Sequence, residues 1–228
     1  MRNIWWAVVL VLAVGGIDAA AAATPTVAPD DVIVGAADAP VTIIEYASLT
    51  CPHCAEFDTD TLPKVKAEWI DPGKARLIYR DYPLDQNAVK AAMLARCAPP
   101  ARFFGFIDEL FHSQQTWVLT DDPVKALQRI ALLGGIGPDK FDACMKNQAI
   151  QDRVLNERLV AQNQYGVDST PTFFINGTKL VGSLPYDQFA KALTAALGNK
   201  PVAQVQGEST PATPPPTASA PAAAPPGH

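Results

Sequence analysis

Two hydrophobic periods alternate along the chain. Val41 to Tyr46 (VTIIEY) is apolar at nearly every position, as in a strand buried on both faces, with Glu45 the exception inside it. Ala75 to Tyr82 (ARLIYRDY) reads as a second strand. Thr172 to Ile175 (TFFI), Asn176-Gly177 and Lys179 to Val181 (KLV) read as a β-hairpin with a type I′ turn, whose positive φ angles suit Asn-Gly. Between these strands the period becomes helical. A helix opens at Cys51-Pro52, where proline suits the first helical position. Pro63 kinks or restarts it, and it resumes through Val65 and Trp69 to the turn Asp71-Pro72-Gly73. Ala88, Val89, Ala92, Met93 and Cys97 share the face of a helix that Pro99-Pro100 ends. Phe103, Phe104, Ile107, Leu110 and Phe111 mark a well-buried helix. Asp122-Pro123 starts another that stops at Gly134-Gly135, and Pro138 opens one carrying Phe141, Cys144 and Met145. A last one runs to about Tyr165, with Gly166 as its C-cap, and an amphipathic helix from Pro185 to Leu197 follows the hairpin. The order predicts one α/β sheet interrupted by a helical insertion over about residues 86–166.

Both ends depart from this pattern. Met1-Arg2-Asn3, an apolar run from Ile4 to Ile17, Asp18 and the alanines 19–23 have the layout of a cleaved signal peptide over 1–23. A membrane-spanning helix needs about 20 apolar residues, and Asp18 interrupts this run too early. From about Asn199 to His228 the chain is mainly Pro, Ala and Thr with no aromatic residue. Such a segment buries too little to offset its ordering entropy, so a disordered tail over 199–228 is expected. The working domain is then 24–198. A net charge of −5 without a basic stripe argues against nucleic acid and anionic membranes as partners. Four cysteines in an exported chain would meet an oxidising compartment.

The central chemical signal is Cys51-Pro52-His53-Cys54, a C-x-x-C at a strand-to-helix junction, which reads as a redox pair. Two cysteines three apart in a first helical turn close a small disulfide ring without rearranging the backbone. The first sulfur is expected beyond the helix N-terminus, facing solvent and unpaired N–H groups, and the second beneath the turn. Cys51 is therefore the expected attacking thiolate and Cys54 the resolving thiol. Helix N-terminal amides and the imidazole of His53 should lower the Cys51 pKa, and each unit is worth about 1.4 kcal/mol or roughly 30 mV toward a more oxidising disulfide. The second signal is Thr170-Pro171, before TFFI. A proline entering a strand sits at an edge or in a special turn, and the residue before it is held extended, leaving main-chain groups for a passing peptide.

EYASLTCPHC, followed far downstream by STPTFFINGTKLVG, resembles the DsbA-type thioredoxin-fold oxidases of Gram-negative periplasms, over residues 30–198 and including the insertion. The resemblance implies a thioredoxin fold with an inserted helical domain between the second strand and the hairpin, a cis Pro171 facing Cys51, and Thr170 offering backbone to substrate. It implies a periplasmic oxidase that donates the Cys51–Cys54 disulfide to reduced exported proteins and is reoxidised by a quinone-linked membrane protein of the DsbB type. A depressed cysteine pKa is a known property of that family, so it too enters as an implication. Glu45, six residues before Cys51, matches the family's buried acid and could pass a proton to or from Cys54. The plain alternative is a salt-bridged strand residue.

Cys97 and Cys144 remain once 51–54 is paired. They lie on apolar faces of the insertion and are expected to form a structural disulfide, as in the alphaproteobacterial branch of the family. Two buried free thiols are the alternative. No metal site is expected, because Cys97 and Cys144 form no second C-x-x-C and neither His112 nor His228 has a companion at ligand spacing. His112 reads as a surface or core-edge residue. No cofactor is implied, and a monomer is expected, since about 15 residues between the cleavage point and the first strand leave no room for a dimerisation domain. A disulfide isomerase or reductase, and a peptide-binding chaperone without redox chemistry, are the other function classes. A chaperone would bind unfolded chains equally well after Cys51→Ser.

Overall fold

The computed structural model describes residues 23–198. The expected tail lies outside them, as does the expected signal segment apart from Ala23. Five strands form one sheet in the order β1-β3-β2-β4-β5: β1 (Ile33–Gly35), β2 (Val41–Ala47), β3 (Ala75–Asp81), β4 (Thr172–Ile175) and β5 (Thr178–Val181). β2 and β3 are parallel, and the other neighbours are antiparallel. The short edge strand β1 was not expected, so the strand read as second is third in the chain.

β2 is buried on both faces, which is why its sequence is almost continuously apolar. Val41 and Ile43 point to one side with Ala75 and Leu77 of β3. There they meet α2 (Leu62–Val65) and the π-helical turns Phe57–Thr61 and Lys66–Ile70, the first of which continues α1 (Pro52–Glu56). Pro63 sits in the first turn of α2, so the helix restarts there. Phe57 packs at 4.5 Å from Phe173 and 5.1 Å from Phe189, the latter on α9 (Tyr186–Leu197). Aromatic pairs of this kind contribute about 0.5–1.5 kcal/mol each beyond their buried area. Ile44, Tyr46 and Ile78 face the opposite side, against Ala161 and Val167.

Six helices stand between β3 and β4: α3 (Gln86–Cys97), α4 (Phe103–His112), α5 (Gln114–Val118), α6 (Pro123–Leu133), α7 (Pro138–Met145) and α8 (Gln148–Tyr165). Three of them, α3, α6 and α8, start on a side-chain cap. Asp85 accepts from the Ala88 N–H at 2.8 Å, Asp122 from Lys125 at 3.0 Å and Asn147 from Ile150 at 3.2 Å. Gly166, at φ 63°, ends α8. In the hairpin, Asn176 (φ 45°) and Gly177 (φ 87°) make the turn between β4 and β5. Cys97 and Cys144 are joined as a disulfide, with Cα atoms 6.1 Å apart, tying α3 to α7. No helix of the described residues is long and apolar enough to cross a membrane.

Candidate active site

β2 ends at Ala47, and the chain turns through Ser48, Leu49 and Thr50 into Cys51, the N-cap of α1. Pro52 occupies the first turn, where its missing N–H costs nothing. Cys51 and Cys54 are both free thiols and both buried. Cys51 retains 5 % of its surface, so the expectation of a solvent-facing sulfur needs correction. Thr170 covers it, with its carbonyl oxygen 3.4 Å from the Cys51 Sγ. The Thr170–Pro171 peptide is cis. Beyond it, the Pro171 carbonyl accepts from the Gly182 N–H at 2.8 Å, fastening this loop to the end of β5.

The two sulfurs are driven apart electrostatically. The Cys54 thiol, donating to Cys51, is the main influence that lowers the Cys51 pKa, to about 6. Burial works against this, while Thr170 and the backbone N–H groups of Cys54 and His53 add to it. The Thr170 hydroxyl is buried and has no other partner among the described residues, so it is free to donate to a thiolate. Cys54 is pushed well upward, first by complete burial and then by giving its proton to the bond with Cys51. His53 acts differently from expectation. Its imidazole Nδ1 lies 3.3 Å from Glu56 Oε2, one turn along, and it is the backbone N–H of His53 that addresses the sulfur.

Glu45 sits in β2 between Tyr79 of β3 and Phe173 of β4, beneath α1, and is 2 % exposed. Among the described residues its Oε1 has no hydrogen-bond partner, and the charge of Lys66 only partly offsets its burial. Burial raises its pKa well above the carboxylate range, helped by the charges of Asp58 and Cys51. This environment favours the protonated over the ionised carboxyl.

Asp58 was not singled out in the sequence. Read with Cys54, Phe57, Thr61, Leu62, Val65 and Trp69, it falls on the buried stripe of the helix, so an acid in that stripe was the available signal. Asp58, Asp108 and His112 bring ligand-type atoms within 4.8 Å of one another, so His112 does have companions in space that its sequence neighbourhood lacks. Its Nδ1 donates to the Asp108 carbonyl at 2.9 Å and lies 3.8 Å from Asp58 Oδ1, while Lys66 Nζ lies 3.5 Å from Asp108 Oδ1. These partners make the group an ion-pair cluster. Within it, burial and then the Asp108 charge raise the Asp58 pKa to about 7, against Lys66 and His112. Gln114 was also missed, because the first residue of a five-residue helix carries no periodic signal. Its Nε2 donates to the carbonyls of Leu49 at 2.9 Å and Cys51 at 3.0 Å.

A C-x-x-C at a helix start beneath a cis-proline loop, on a sheet of this order, defines a class of protein. Residues 27–195 match the family model described as Thioredoxin, and the chain belongs to that family. Within it the similarity is to DsbA proteins. The crystal structure of Wolbachia pipientis alpha-DsbA1 superposes with a TM-score of 0.71 at 35 % identity, covering 75 % of this chain and 93 % of that one. A Rickettsia prowazekii protein named as a protein-disulfide oxidoreductase is 30 % identical over 178 residues, 77 % of this chain and 65 % of its own length. Disulfide bond formation protein D of Bacillus subtilis is 26 % identical over 182 residues, 74 % of this chain and 78 % of that one. The chain thus spans a little under two thirds of the length of its rickettsial relatives.

Proposed function

We propose that this protein is a periplasmic thiol–disulfide oxidase that donates the Cys51–Cys54 disulfide to reduced exported proteins. The observation that carries the reading is the split between the two sulfurs: Cys51 is drawn down to about 6 and Cys54 is pushed up. A sulfur stabilised as an anion favours the reduced state of the pair. Stabilising the anion makes the disulfide a stronger oxidant by roughly 30 mV for each unit by which the pKa falls below the working pH. In the forward step a substrate thiolate attacks the Cys51 sulfur, the Cys51–Cys54 bond breaks, and the electron pair leaves on Cys54. Because Cys54 is buried and basic, it needs a proton on leaving, and Glu45, whose buried carboxyl is pushed toward its protonated form, is the donor in this reading. A second substrate thiolate then attacks the substrate sulfur of the mixed disulfide and expels Cys51 as the thiolate. The low pKa makes Cys51 a good leaving group in this second step.

In the same reading Thr170 and Pro171 present the backbone against which substrate lies, and Pro52 and His53 shape the first turn that holds the sulfur. Residues 24–198 form the working domain, 1–23 direct export and 199–228 are an appended tail. A quinone-linked membrane protein of the DsbB type removes the electrons. The names and structures of the relatives support the oxidoreductase chemistry, while the direction of electron flow rests on the sulfur environment. Equilibration of the purified protein with glutathione buffers tests it. A potential well above that of thioredoxin, about −270 mV, is expected, and a value near −270 mV would exclude the oxidant role.

A further inference from the structure

We infer that Gln114 of the helical insertion is a positioning residue for the redox site, acting on the Cys51 sulfur through the Cys51 carbonyl. The inference rests on the reading of Cys51 as a stabilised thiolate. Gln114 opens α5, is 7 % exposed, and directs one side-chain amide at two main-chain oxygens, those of Leu49 at 2.9 Å and Cys51 at 3.0 Å. A primary amide has two N–H bonds, and here there is an acceptor for each at ordinary hydrogen-bond length. Placing a glutamine head group in a buried site costs free energy unless both are used.

The Cys51 carbonyl is the point on which this contact acts. It also accepts from the N–H groups of Cys54 and Ala55, each at 3.2 Å. The peptide plane leaving Cys51 is therefore held from two sides, by the first turn of α1 and by the insertion. The Cα–Cβ bond of Cys51 starts from the same residue. The orientation of that plane thus decides whether the sulfur meets the Cys54 thiol, the N–H groups of residues 53 and 54, and Thr170, the contacts that favour its anion. With the amide removed, the carbonyls of Leu49 and Cys51 would lose a buried donor and the turn would relax to find others.

A second tie points the same way. Thr50 Oγ1 donates to Asp85 Oδ2 at 2.6 Å, and Asp85 is the N-cap of α3. Ser48 Oγ accepts from the Leu84 N–H at 3.2 Å. The insertion and its leading segment thus grip the turn 48–51 at its start through Ser48 and at its end through Thr50 and Gln114. The electrostatics of the sulfur are in part a property of a domain that contributes no sulfur to the site.

The test compares Gln114→Met, which keeps the volume and removes both donors, with Trp117→Phe. The latter removes a buried hydrogen bond, Nε1 to the Leu110 carbonyl at 2.8 Å, from the same short helix without touching the Cys51 turn. Thiolate ultraviolet absorbance is titrated in each reduced protein, and each is equilibrated with glutathione. Gln114→Met is expected to lower the thiolate-to-thiol ratio at a fixed pH about tenfold and to weaken the oxidising equilibrium by a similar factor, about 30 mV. Trp117→Phe is expected to lower the melting temperature and leave the titration in place. An unmoved titration in Gln114→Met, or equal shifts in both variants, would overturn the inference. Should Gln114→Met not fold, Gln114→Asn carries the same test, since it keeps the amide but withdraws it by one methylene. A wild-type Cys51 that titrates like free cysteine would instead sink the oxidase reading itself, so the two failures are distinguishable.

Discussion

Asp58 has the most exposed consequence of any single residue beneath the active site, because its carboxyl is buried without a full set of partners and titrates near neutrality. Burial first, then the charge of Asp108, raise its pKa from the ordinary carboxylate range to about 7. A raised acid in the folded state destabilises the protein as pH climbs. Below about pH 4 the group is protonated in both states and costs nothing. Between about 4 and 7 the unfolded chain ionises it while the fold resists, and above about 7 the full cost is in place. Asp58→Asn is therefore expected to match wild type in urea titrations at pH 4 and to exceed it at pH 8. A variant less stable than wild type at pH 8 would show that the contacts with His112 outweigh the burial penalty. The residues differ in how readable they were. Cys51, Cys54 and Pro171 announce themselves by spacing, and Glu45 by interrupting an apolar strand. The imidazole of His53 was given a role that its backbone N–H takes instead, because a side chain's direction is not written in its position along the chain. Cys51 was placed in solvent for a related reason: the loop that covers it lies more than a hundred residues downstream, and only the fold brings Thr170 to the sulfur.

Elements were legible in proportion to their length and punctuation. β2, β3, the hairpin and the capped helices α3, α6 and α8 carry a period of two or 3.6 bounded by Asp, Asn, Pro or Gly, and they occur within a residue or two of where those signals fall. β1 has three residues at a sheet edge, too few to show a period, and its pairing with β3 is a tertiary fact. The π-helical turns at Phe57–Thr61 and Lys66–Ile70 leave no mark either, because one extra residue in a turn changes the backbone bonding without changing the residue types that favour a helix. At this scale the Cys97–Cys144 bond joins α3 to α7 across a separation of 47 residues. By the chain-entropy relation, closing a loop of that size restricts the unfolded ensemble by about 4 kcal/mol. Replacing both cysteines by alanine should lower unfolding stability by up to that amount while leaving the Cys51 titration near its original place. Denaturant midpoints and the thiolate titration, measured on the same samples, check both halves. A large change in the titration would mean that the crosslink also shapes the redox site.

The whole molecule is held together by how the insertion is seated on the sheet, and this was the least legible scale of all. Arg96, in the last turn of α3, donates to Asp81 at the end of β3 at 2.7 Å and to Glu157 in α8 at 3.2 Å, with its guanidinium 4.4 Å over the Phe103 ring. Arg96 and Asp81 are almost wholly buried, and Glu157 nearly so. One cation from α3 thus serves two carboxylates, one from β3 and one from α8, and Asp81 Oδ1 already lacks a partner among the described residues. Burial and then the neighbouring Asp81 charge raise the Glu157 pKa to about 7 even with Arg96 in place. Arg96→Met keeps the hydrocarbon packing and leaves the two acids facing each other. Breaking a buried pair from one side in this way costs about 3–5 kcal/mol, most of it for the charge left behind. The sign with pH follows from which state binds the proton. Without the guanidinium, which opposes the upward shift, the folded Glu157 carboxyl holds its proton still more tightly than the unfolded chain does, so the loss grows as pH rises from about 5 toward 8. Urea titrations at those two pH values should therefore show a larger deficit for Arg96→Met at pH 8. Hydrogen exchange should show protection falling in α3, α8 and the end of β3 together. An equal deficit at both pH values would mean that Arg96 acts through packing on Phe103, and that the insertion is seated by apolar contact alone.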